Sequence, residues 1–163
     1  MQFHGLLKQF PKEVKLLITT FIITLNIGFF TGINFVRITS TFDSNGIETN
    51  YLGNEKDEDA EIMQFKKSER EIITLVHNHI LSMSLIFFLL GVILSLTSIN
   101  RKVKSILMFE PFVSIILTFG GIYILWTGVL WFKYIIMLSG IAMILSIVLS
   151  SFFILKESIF TKN

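Results

Sequence analysis

Four long apolar stretches constrain this chain more than any other feature. They cover residues 16–36, 72–99, 105–126 and 129–155 of the 163-residue sequence. A helix crosses the hydrocarbon core of a bilayer with roughly 20 predominantly apolar residues, and each stretch reaches that length. The residues are 52% hydrophobic and only 16% charged, which is too apolar for a typical soluble domain. The sequence therefore predicts a single four-span membrane domain over residues 1–163.

The predicted fold is all-α, a transmembrane antiparallel four-helix bundle with one extracytoplasmic acidic loop. Short connections make spans two, three and four pack side by side, and span one is expected to close the bundle. Small and polar residues in a membrane helix usually mark its protein-facing side, because they permit close backbone approach and hydrogen bonds between helices. The predicted inward stripes, span by span, are Thr20, Thr24, Gly28 and Thr31; His77, Ser84, Gly91, Ser95 and Ser98; Glu110, Ser114, Thr118 and Gly121; and Ser139, Ala142, Ser146 and Ser150.

The distribution of charge predicts the orientation. Basic residues precede the first span, fill the turn between the second and third spans, and follow the fourth: Lys8, Lys12, Lys15, Arg101, Lys102, Lys104, Lys156 and Lys162. The positive-inside rule places these regions, and with them both termini, in the cytoplasm. Residues 37–71 hold nine acidic and five basic residues and are expected to form the outer loop.

Local patterns divide this outer loop. Residues 43–46 read Asp-Ser-Asn-Gly, which is typical of a turn, and residues 55–61 are strongly acidic. Ser68 and Glu71 have the spacing of a capping box, in which the serine oxygen accepts from a free backbone amide and the glutamate bonds back to the serine amide. The second span is therefore predicted to start as a helix above the membrane.

His77 and His79 are the main candidate site residues, because ionisable groups within a span are uncommon and usually functional. At a spacing of two they point about 200° apart on a helix, so they cannot both bind one metal ion. The serine and glycine stripe indicates that His77 faces inward. A b-type haem could be held by His77 or His79 together with Met137 at similar depth in span four. The alternatives are a packing role, a metal site or a proton relay.

Glu110 is the other polar candidate within a span. Pro111 follows it, and proline is tolerated in the first turn of a helix. The favoured interpretation is a first-turn residue near the headgroups, stabilised by the positive end of the helix dipole. A buried carboxyl group paired with Arg101 or Lys102, or an inner-leaflet polar pocket, is the alternative.

Several function classes lack support. The chain has no cysteine, which removes disulfides, thiolate metal sites and covalently attached haem. It also shows no nucleophile–base pair, phosphate-binding glycine loop or metalloprotease motif, so an enzyme has no residue-level support. Nucleic-acid binding has no exposed basic surface to rest on. The expected partners are the lipid bilayer and other membrane subunits or a second copy of the chain.

Three segments carry a resemblance: residues 75–91 with His77-Asn78-His79, the Glu110-Pro111-Phe112 segment, and Tyr51-Leu52-Gly53-Asn54. Together they resemble a group of uncharacterised bacterial four-span inner-membrane proteins in which an H-x-H opens the second span. Some members carry a Cys-x-x-Cys-His haem-attachment motif in the outer loop, which this chain lacks. The resemblance implies a bacterial inner membrane and a respiratory or redox neighbourhood.

Three functional hypotheses follow from these observations. The leading hypothesis is a non-enzymatic accessory or structural subunit of a membrane complex, since no complete active site is present. The alternative is a haem-binding or quinone-linked electron-transfer protein that uses His77 or His79. A proton or small-solute conductor is a third hypothesis.

Overall fold

The protein is all-helical in the part of the chain that its computed structural model describes, residues 5–40, 44–55 and 62–160. The helices are a 3-10 helix (Leu6–Gln9), α1 (Lys12–Ser40), α2 (Ser44–Leu52), α3 (Glu69–Ser95), α4 (Arg101–Ile115), α5 (Gly121–Trp126) and α6 (Phe132–Phe160). One π-helical turn, Ile116–Gly120, joins α4 to α5 without a break. The prediction of an all-α fold is confirmed.

Four helical segments are long and apolar enough to cross a membrane. They are Lys12–Ile38, Glu69–Ser95, Arg101–Trp126 and Phe132–Phe160. Each helix extends beyond its predicted apolar stretch at one end or both, because intrahelical hydrogen bonds can continue where the helix enters the headgroup region. The second span, however, ends at Ser95 and not at residue 99, and the fourth begins at Phe132 and not at residue 129. The packing of these four helices against one another confirms the predicted transmembrane helical bundle.

The two ends of the bundle differ in what caps them. The terminal end comprises the 3-10 helix, residues 96–101 and the last turn of α6. The loop end comprises residues 44–55 and 62–68 together with the turn from α5 to α6. Seven of the described lysines and arginines lie in or next to the terminal end, namely Lys8, Lys12, Lys15, Arg101, Lys102, Lys104 and Lys156, and five lie towards the loop end, namely Arg37, Lys66, Lys67, Arg70 and Lys133.

The start of α3 is capped as the sequence predicts. The Glu71 amide donates to Ser68 Oγ at 3.3 Å, and the Ser68 amide donates to Glu71 Oε2 at 2.8 Å. In the turn between α3 and α4, Asn100 Oδ1 accepts a hydrogen bond from the Lys102 amide at 2.9 Å and caps the start of α4. These caps satisfy amides that have no partner inside the helix, and they fix where both spans begin.

α6 is the centre of the bundle. It packs against α1, α3 and α4, whereas α1 makes its contacts with the other spans chiefly through α6. Only 11% of the apolar window of α1 is buried, compared with 44% for the Arg101–Trp126 span. The structure is therefore a three-span body of α3, α4–α5 and α6 with α1 attached to the outside of α6. The core contains Phe87, Leu90, Leu94, Ile115, Ile122, Leu125, Ile147 and Ile154.

The predicted inward stripes are confirmed for spans three and four and are wrong for span one. Ser114, Thr118, Ser139, Ser146 and Ser150 are buried. In α1, however, all four predicted stripe residues are exposed, namely Thr20, Thr24, Gly28 and Thr31. The buried side of α1 carries Ile18 and Ile22 instead. Apolar packing against α6 decides which side of α1 faces the bundle, and small residues alone did not indicate it.

Part of the outer loop folds back onto the bundle. Residues that the sequence assigns to a turn begin α2 at Ser44, and α2 packs against α5 and α6. Asp43 and most of the acidic run, residues 56–61, lie outside the described residues. Glu48 of α2 forms a salt bridge of 2.7 Å with Lys133 at the start of α6. The loop is thereby tied to the end of the last span.

The Tyr51-Leu52-Gly53-Asn54 segment explains how the loop closes. The Lys67 amide donates to the Tyr51 carbonyl at 3.2 Å, and the Gln64 amide donates to Asn54 Oδ1 at 2.6 Å. Gly53 has a φ of 78°, which ends α2 in the left-handed conformation that glycine adopts without strain. The segment therefore holds residues 62–67 against α2.

Candidate functional site

A row of hydroxyl groups on α6 links it to the neighbouring helices, and we call this row the α6 serine row. It consists of Ser139, Ser146, Ser150, Ser151 and Ser158, all of them buried. Ser139 Oγ lies 2.7 Å from Thr118 Oγ1, and Ser146 Oγ donates to Glu110 Oε2. The row thus reaches the third span at two depths.

The same row also holds α1. Asn26 Nδ2 donates to Ser151 Oγ at 2.8 Å, and Thr19 Oγ1 lies 2.8 Å from Ser158 Oγ. Hydrogen bonds between membrane helices satisfy polar groups that lipid cannot. α1 therefore attaches to α6 through both apolar and polar contacts.

Glu110 lies deeper in its span than the sequence indicated. α4 begins at Arg101, so Glu110 is nine residues into the helix, or about 14 Å along its axis. The preferred interpretation of Glu110 as a first-turn residue is wrong, because the helix starts before Lys104 and continues through Pro111. The two carboxyl oxygens of Glu110 accept hydrogen bonds from the hydroxyl groups of Ser114 and Ser146. Glu110 therefore ties α4 to α6 through hydroxyl donors.

Pro111 and the π-helical turn reshape the second half of this span. Proline has no amide hydrogen and removes one hydrogen bond from the helix. The π turn Ile116–Gly120 then carries two side chains to neighbouring helices. Thr118 reaches Ser139 of α6, and Phe119 reaches His79 of α3. Such π turns occur frequently at functional sites.

His79 is the histidine that contacts another span. Its ring stacks on Phe119 with a centroid separation of 4.7 Å and an interplanar angle of 28°. Its Nδ1 lies 2.8 Å from the Leu75 carbonyl oxygen, and since a carbonyl can only accept, Nδ1 carries the proton. Nε2 is therefore the nitrogen that a ligand would meet.

His77 does not face the bundle interior as the serine and glycine stripe indicated. Phe87, Leu90 and Leu94 define the buried face of α3. At 100° per residue, His77 lies about 100° from the middle of that face and His79 about 60° on its other side. His77 is exposed. The apolar positions of α3 give its orientation better than its small residues do.

Met137 is half-buried near the start of α6, at the same end of the bundle as the two histidines. Its pairing with His77 or His79 stays a prediction. Within the described residues, no group of three or more His, Asp or Glu side chains is arranged to hold a metal ion.

A second polar cluster, at the terminal end, was not predicted. Glu157 Oε1 accepts hydrogen bonds from both the amide and the hydroxyl group of Ser98, each at 2.6 Å. Lys104 Nζ donates to the carbonyl oxygens of Ser95 and Thr97 at 2.9 and 2.5 Å. In the sequence, Lys104 and Glu157 read as ordinary charges at the ends of spans. The close packing of the α3–α4 turn against α6 buries both side chains.

The 3-10 helix completes this cluster. The Gly5 amide donates to the Thr97 carbonyl at 3.2 Å, and the Leu7 amide donates to the Leu96 carbonyl at 3.1 Å. Leu7 is fully buried. The segment before α1 is therefore anchored on the α3–α4 turn.

A comparison with protein families identifies the class of this fold. A family model described as a transmembrane helical domain, Aq_1264_TM, matches residues 41–163. The chain belongs to this family. The matched region of this transmembrane helical domain covers α2 to α6 and leaves α1 outside it. No curated protein and no solved structure matches the chain.

Proposed function

We propose that this protein is a non-enzymatic structural or accessory subunit of a larger complex in a bacterial inner membrane, with both termini in the cytoplasm. One observation carries the proposal. Polar and small residues lie exposed on the outer faces of α3 and α1, where lipid would otherwise be the only neighbour. The basic residues at the terminal end support the orientation through the positive-inside rule.

The outer face of α3 presents two polar side chains within its apolar part. His77 and Asn78 are both exposed, about 8 and 9 Å beyond Ile72 along the helix. An imidazole or a carboxamide in hydrocarbon is costly, and such groups normally face protein or a water-filled cavity. One turn further, Ser82 Oγ bonds to the Asn78 carbonyl at 2.6 Å. A polar group on a partner helix would satisfy the side chains of His77 and Asn78.

The outer face of α1 is shaped for close approach of another helix. A side chain added at Gly28 or Gly32 would meet nothing within 4 Å. A Gly-xxx-Gly spacing allows two membrane helices to pack with their backbones close together. The opposite side of α1 already packs on α6. α1 can therefore bridge this bundle and a neighbouring subunit.

Site-specific photo-crosslinking in native membranes tests the proposal. A photoreactive residue replaces Leu81, next to Asn78, or Ile27, next to Gly28. The matched control is Leu138, which is 69% exposed on the outer side of α6. We expect protein adducts from positions 81 and 27 and lipid adducts from position 138. Lipid adducts alone from all three positions, with a monomer purified from native membranes, would overturn the proposal.

The geometry of His79 favours a second candidate, a haem-binding or quinone-linked electron carrier. The Nδ1–H bond to the Leu75 carbonyl is the arrangement that orients an imidazole whose Nε2 binds a metal. A reduced-minus-oxidised spectrum of protein purified with haem supplied tests the haem version. We expect a haem band that His79→Ala removes. Absence of any band in the unmodified protein would exclude it.

A further inference from the structure

A cavity of about 340 Å³ opens at the terminal end of the bundle, between the 3-10 helix, the α3–α4 turn and the end of α6. Its lining includes three apolar residues, Ile99, Phe153 and Phe160. The other lining residues are Lys8, Lys156, Ser98 and Glu157. Since these residues lie at the ends of the spans, the cavity lies where lipid headgroups meet the hydrocarbon.

Glu157 gives this cavity a polar group that the protein leaves half satisfied. The residue is only 7% exposed. Its Oε1 accepts two hydrogen bonds from Ser98, but its Oε2 is buried and has no hydrogen-bond partner among the described residues. Buried carboxyl oxygens are nearly always hydrogen-bonded, because leaving one unpaired is costly. Among the described residues, Glu157 Oε2 therefore stays available to accept a hydrogen bond.

Lys104 does not donate that hydrogen bond, although it interacts electrostatically with Glu157. Its ammonium group bonds to the carbonyl oxygens of Ser95 and Thr97. Lys104 therefore does not fill the position at Oε2. A hydrogen bond from a charged N–H donor to a carboxyl oxygen is stronger than one from a neutral donor.

The remaining walls fit an anion and an acyl chain. Lys8 and Lys156 line the cavity, and ammonium groups bind phosphate as point charges. Ile99, Phe153 and Phe160 add apolar surface to the same lining. A ligand with a protonated amine, a phosphate and a hydrocarbon chain would match the carboxyl group, the lysines and the apolar residues.

We propose that this cavity binds the headgroup of a phospholipid that carries a primary ammonium group, of the phosphatidylethanolamine class. The ammonium group donates to Glu157 Oε2, and the phosphate lies between Lys8 and Lys156. The cavity volume lies within the range of about 300–1,000 Å³ that small-molecule sites occupy. Lys8 is half-buried and Lys156 is exposed, so both side chains can move and admit the amine. The proposal stands independently of any protein partner.

A headgroup series tests the proposal on the unmodified protein. Native mass spectrometry of the delipidated chain in detergent measures binding of phosphatidylethanolamine, its N-methyl and N,N-dimethyl forms, and phosphatidylcholine, all with the same acyl chains. The charge is constant along the series, but the number of N–H donors falls to none. We expect affinity to drop in phosphatidylcholine, to about one tenth or less of that for phosphatidylethanolamine, because it alone in the series has no N–H to donate to Glu157 Oε2.

Substitutions of the cavity residues test which of them bind the headgroup. Glu157→Gln should abolish the preference for phosphatidylethanolamine over phosphatidylcholine, while Lys8→Gln with Lys156→Gln should weaken both lipids. Lys102→Gln is the matched control, because Lys102 is an exposed basic residue of the same end that does not line the cavity. It should bind like the unmodified chain. Circular dichroism confirms that each variant keeps its helices.

Three results decide between the outcomes. Soluble glycerophosphoethanolamine has the same headgroup without acyl chains, and its failure to compete at concentrations where the lipid saturates the site identifies a membrane lipid as the ligand. Equal affinity across the methylation series would overturn the proposal even if every variant failed to fold. Retention of the preference in folded Glu157→Gln would overturn the assignment of Glu157.

Discussion

Single hydroxyl groups carry much of the specificity of this bundle, because apolar side chains in a membrane have lipid as an equally good neighbour. Ser146 and Ser150 of the α6 serine row show the contrast most clearly. Both are buried, but only Ser146 bonds to a partner, Glu110, whereas Ser150 Oγ has no hydrogen-bond partner among the described residues. Similar side chains one turn apart therefore differ in energetic role.

The first prediction uses this contrast. Ser146→Ala should lower the free energy of unfolding by about 1–2 kcal/mol, since one oxygen of Glu110 loses its donor within the membrane. Ser150→Ala removes a hydroxyl group that has no hydrogen-bond partner in the described part of the chain, so it should be neutral or slightly stabilising. Unfolding in detergent micelles, followed by circular dichroism, measures both. Equal losses for the two variants would contradict the role assigned to Glu110.

The second prediction concerns Gly53. A Cβ at this position would lie 2.6 Å from the Lys66 amide nitrogen and 2.7 Å from the Gln64 carbonyl oxygen, both rigid backbone atoms. Gly53→Ala should therefore release residues 62–67 from α2 and raise their amide hydrogen exchange, with the spans unchanged. Gly140→Ala, where the added carbon meets nothing within 4 Å, is the control. Unchanged exchange at 62–67 would show that the loop closes differently.

The third prediction concerns Tyr51, whose burial should make the packing of residues 62–67 against α2 less stable at alkaline pH. Burial raises the pKa of Tyr51 from 10.0 to about 12, against a smaller lowering by its hydrogen bond with Asn50. Because the folded pKa lies above the unfolded one, the stability is complete below pH 10 and is lost as pH rises towards 12. Tyrosinate absorbance is titrated in the unmodified protein and in Tyr51→Phe, and the difference between the two curves should show one tyrosine that ionises near pH 12. Ionisation of that tyrosine near pH 10 would contradict its burial.

At the scale of the helices, α6 organises the molecule and α1 is peripheral. α6 offers hydroxyl groups towards the third span and towards α1, whereas α1 has contacts mainly on one side. The peripheral position of α1 agrees with a family match that starts at residue 41. α1 is thus the span most available for contact with a neighbouring subunit.

Much of this arrangement could be predicted from residue patterns, and the exceptions depend on how the helices pack together. The length of the apolar stretches gives four spans, and the Ser68–Glu71 spacing gives the start of α3. Small residues gave the inward side of α6 but failed for α1 and for His77, because apolar packing decides which side of α1 and of α3 faces the bundle. The buried Lys104–Glu157 cluster and the π turn depend on tertiary packing, which no local pattern reports.

A double-mutant cycle tests how α1 is held. Asn26→Leu and Ser151→Ala should each destabilise the fold, and their effects should couple by about 0.6 kcal/mol, the average for hydrogen bonds between membrane helices. Thr31 provides the control, because its hydroxyl group bonds to the Ile27 carbonyl of its own helix at 2.7 Å. Thr31→Val should not couple with Ser151→Ala. Additive effects of Asn26→Leu and Ser151→Ala would argue against the bond between α1 and α6.

For the whole molecule, the two ends differ in chemistry in a way that fits a fixed orientation. The terminal end holds the 3-10 helix, the basic turn at Arg101 and Lys102, and the cavity beside Glu157. The loop end holds α2 and aromatic residues, among them Trp126, whose Nε1 donates to the Lys67 carbonyl at 2.8 Å. Lysine and arginine near short connections keep their end of a span in the cytoplasm. The proposed orientation follows from this difference between the ends.

The orientation can be measured because the chain has no cysteine. Single cysteines introduced as Met63→Cys, at a loop residue that is 57% exposed, and as Lys102→Cys, at the terminal end, should report opposite sides of the membrane. In intact spheroplasts a membrane-impermeant maleimide should label position 63 and leave position 102 unlabelled. Permeabilised spheroplasts should label both, which shows that position 102 is reactive. Labelling of position 102 but not of position 63 in intact spheroplasts would reverse the proposed orientation, while the packing of the spans and the cavity at the terminal end would stand.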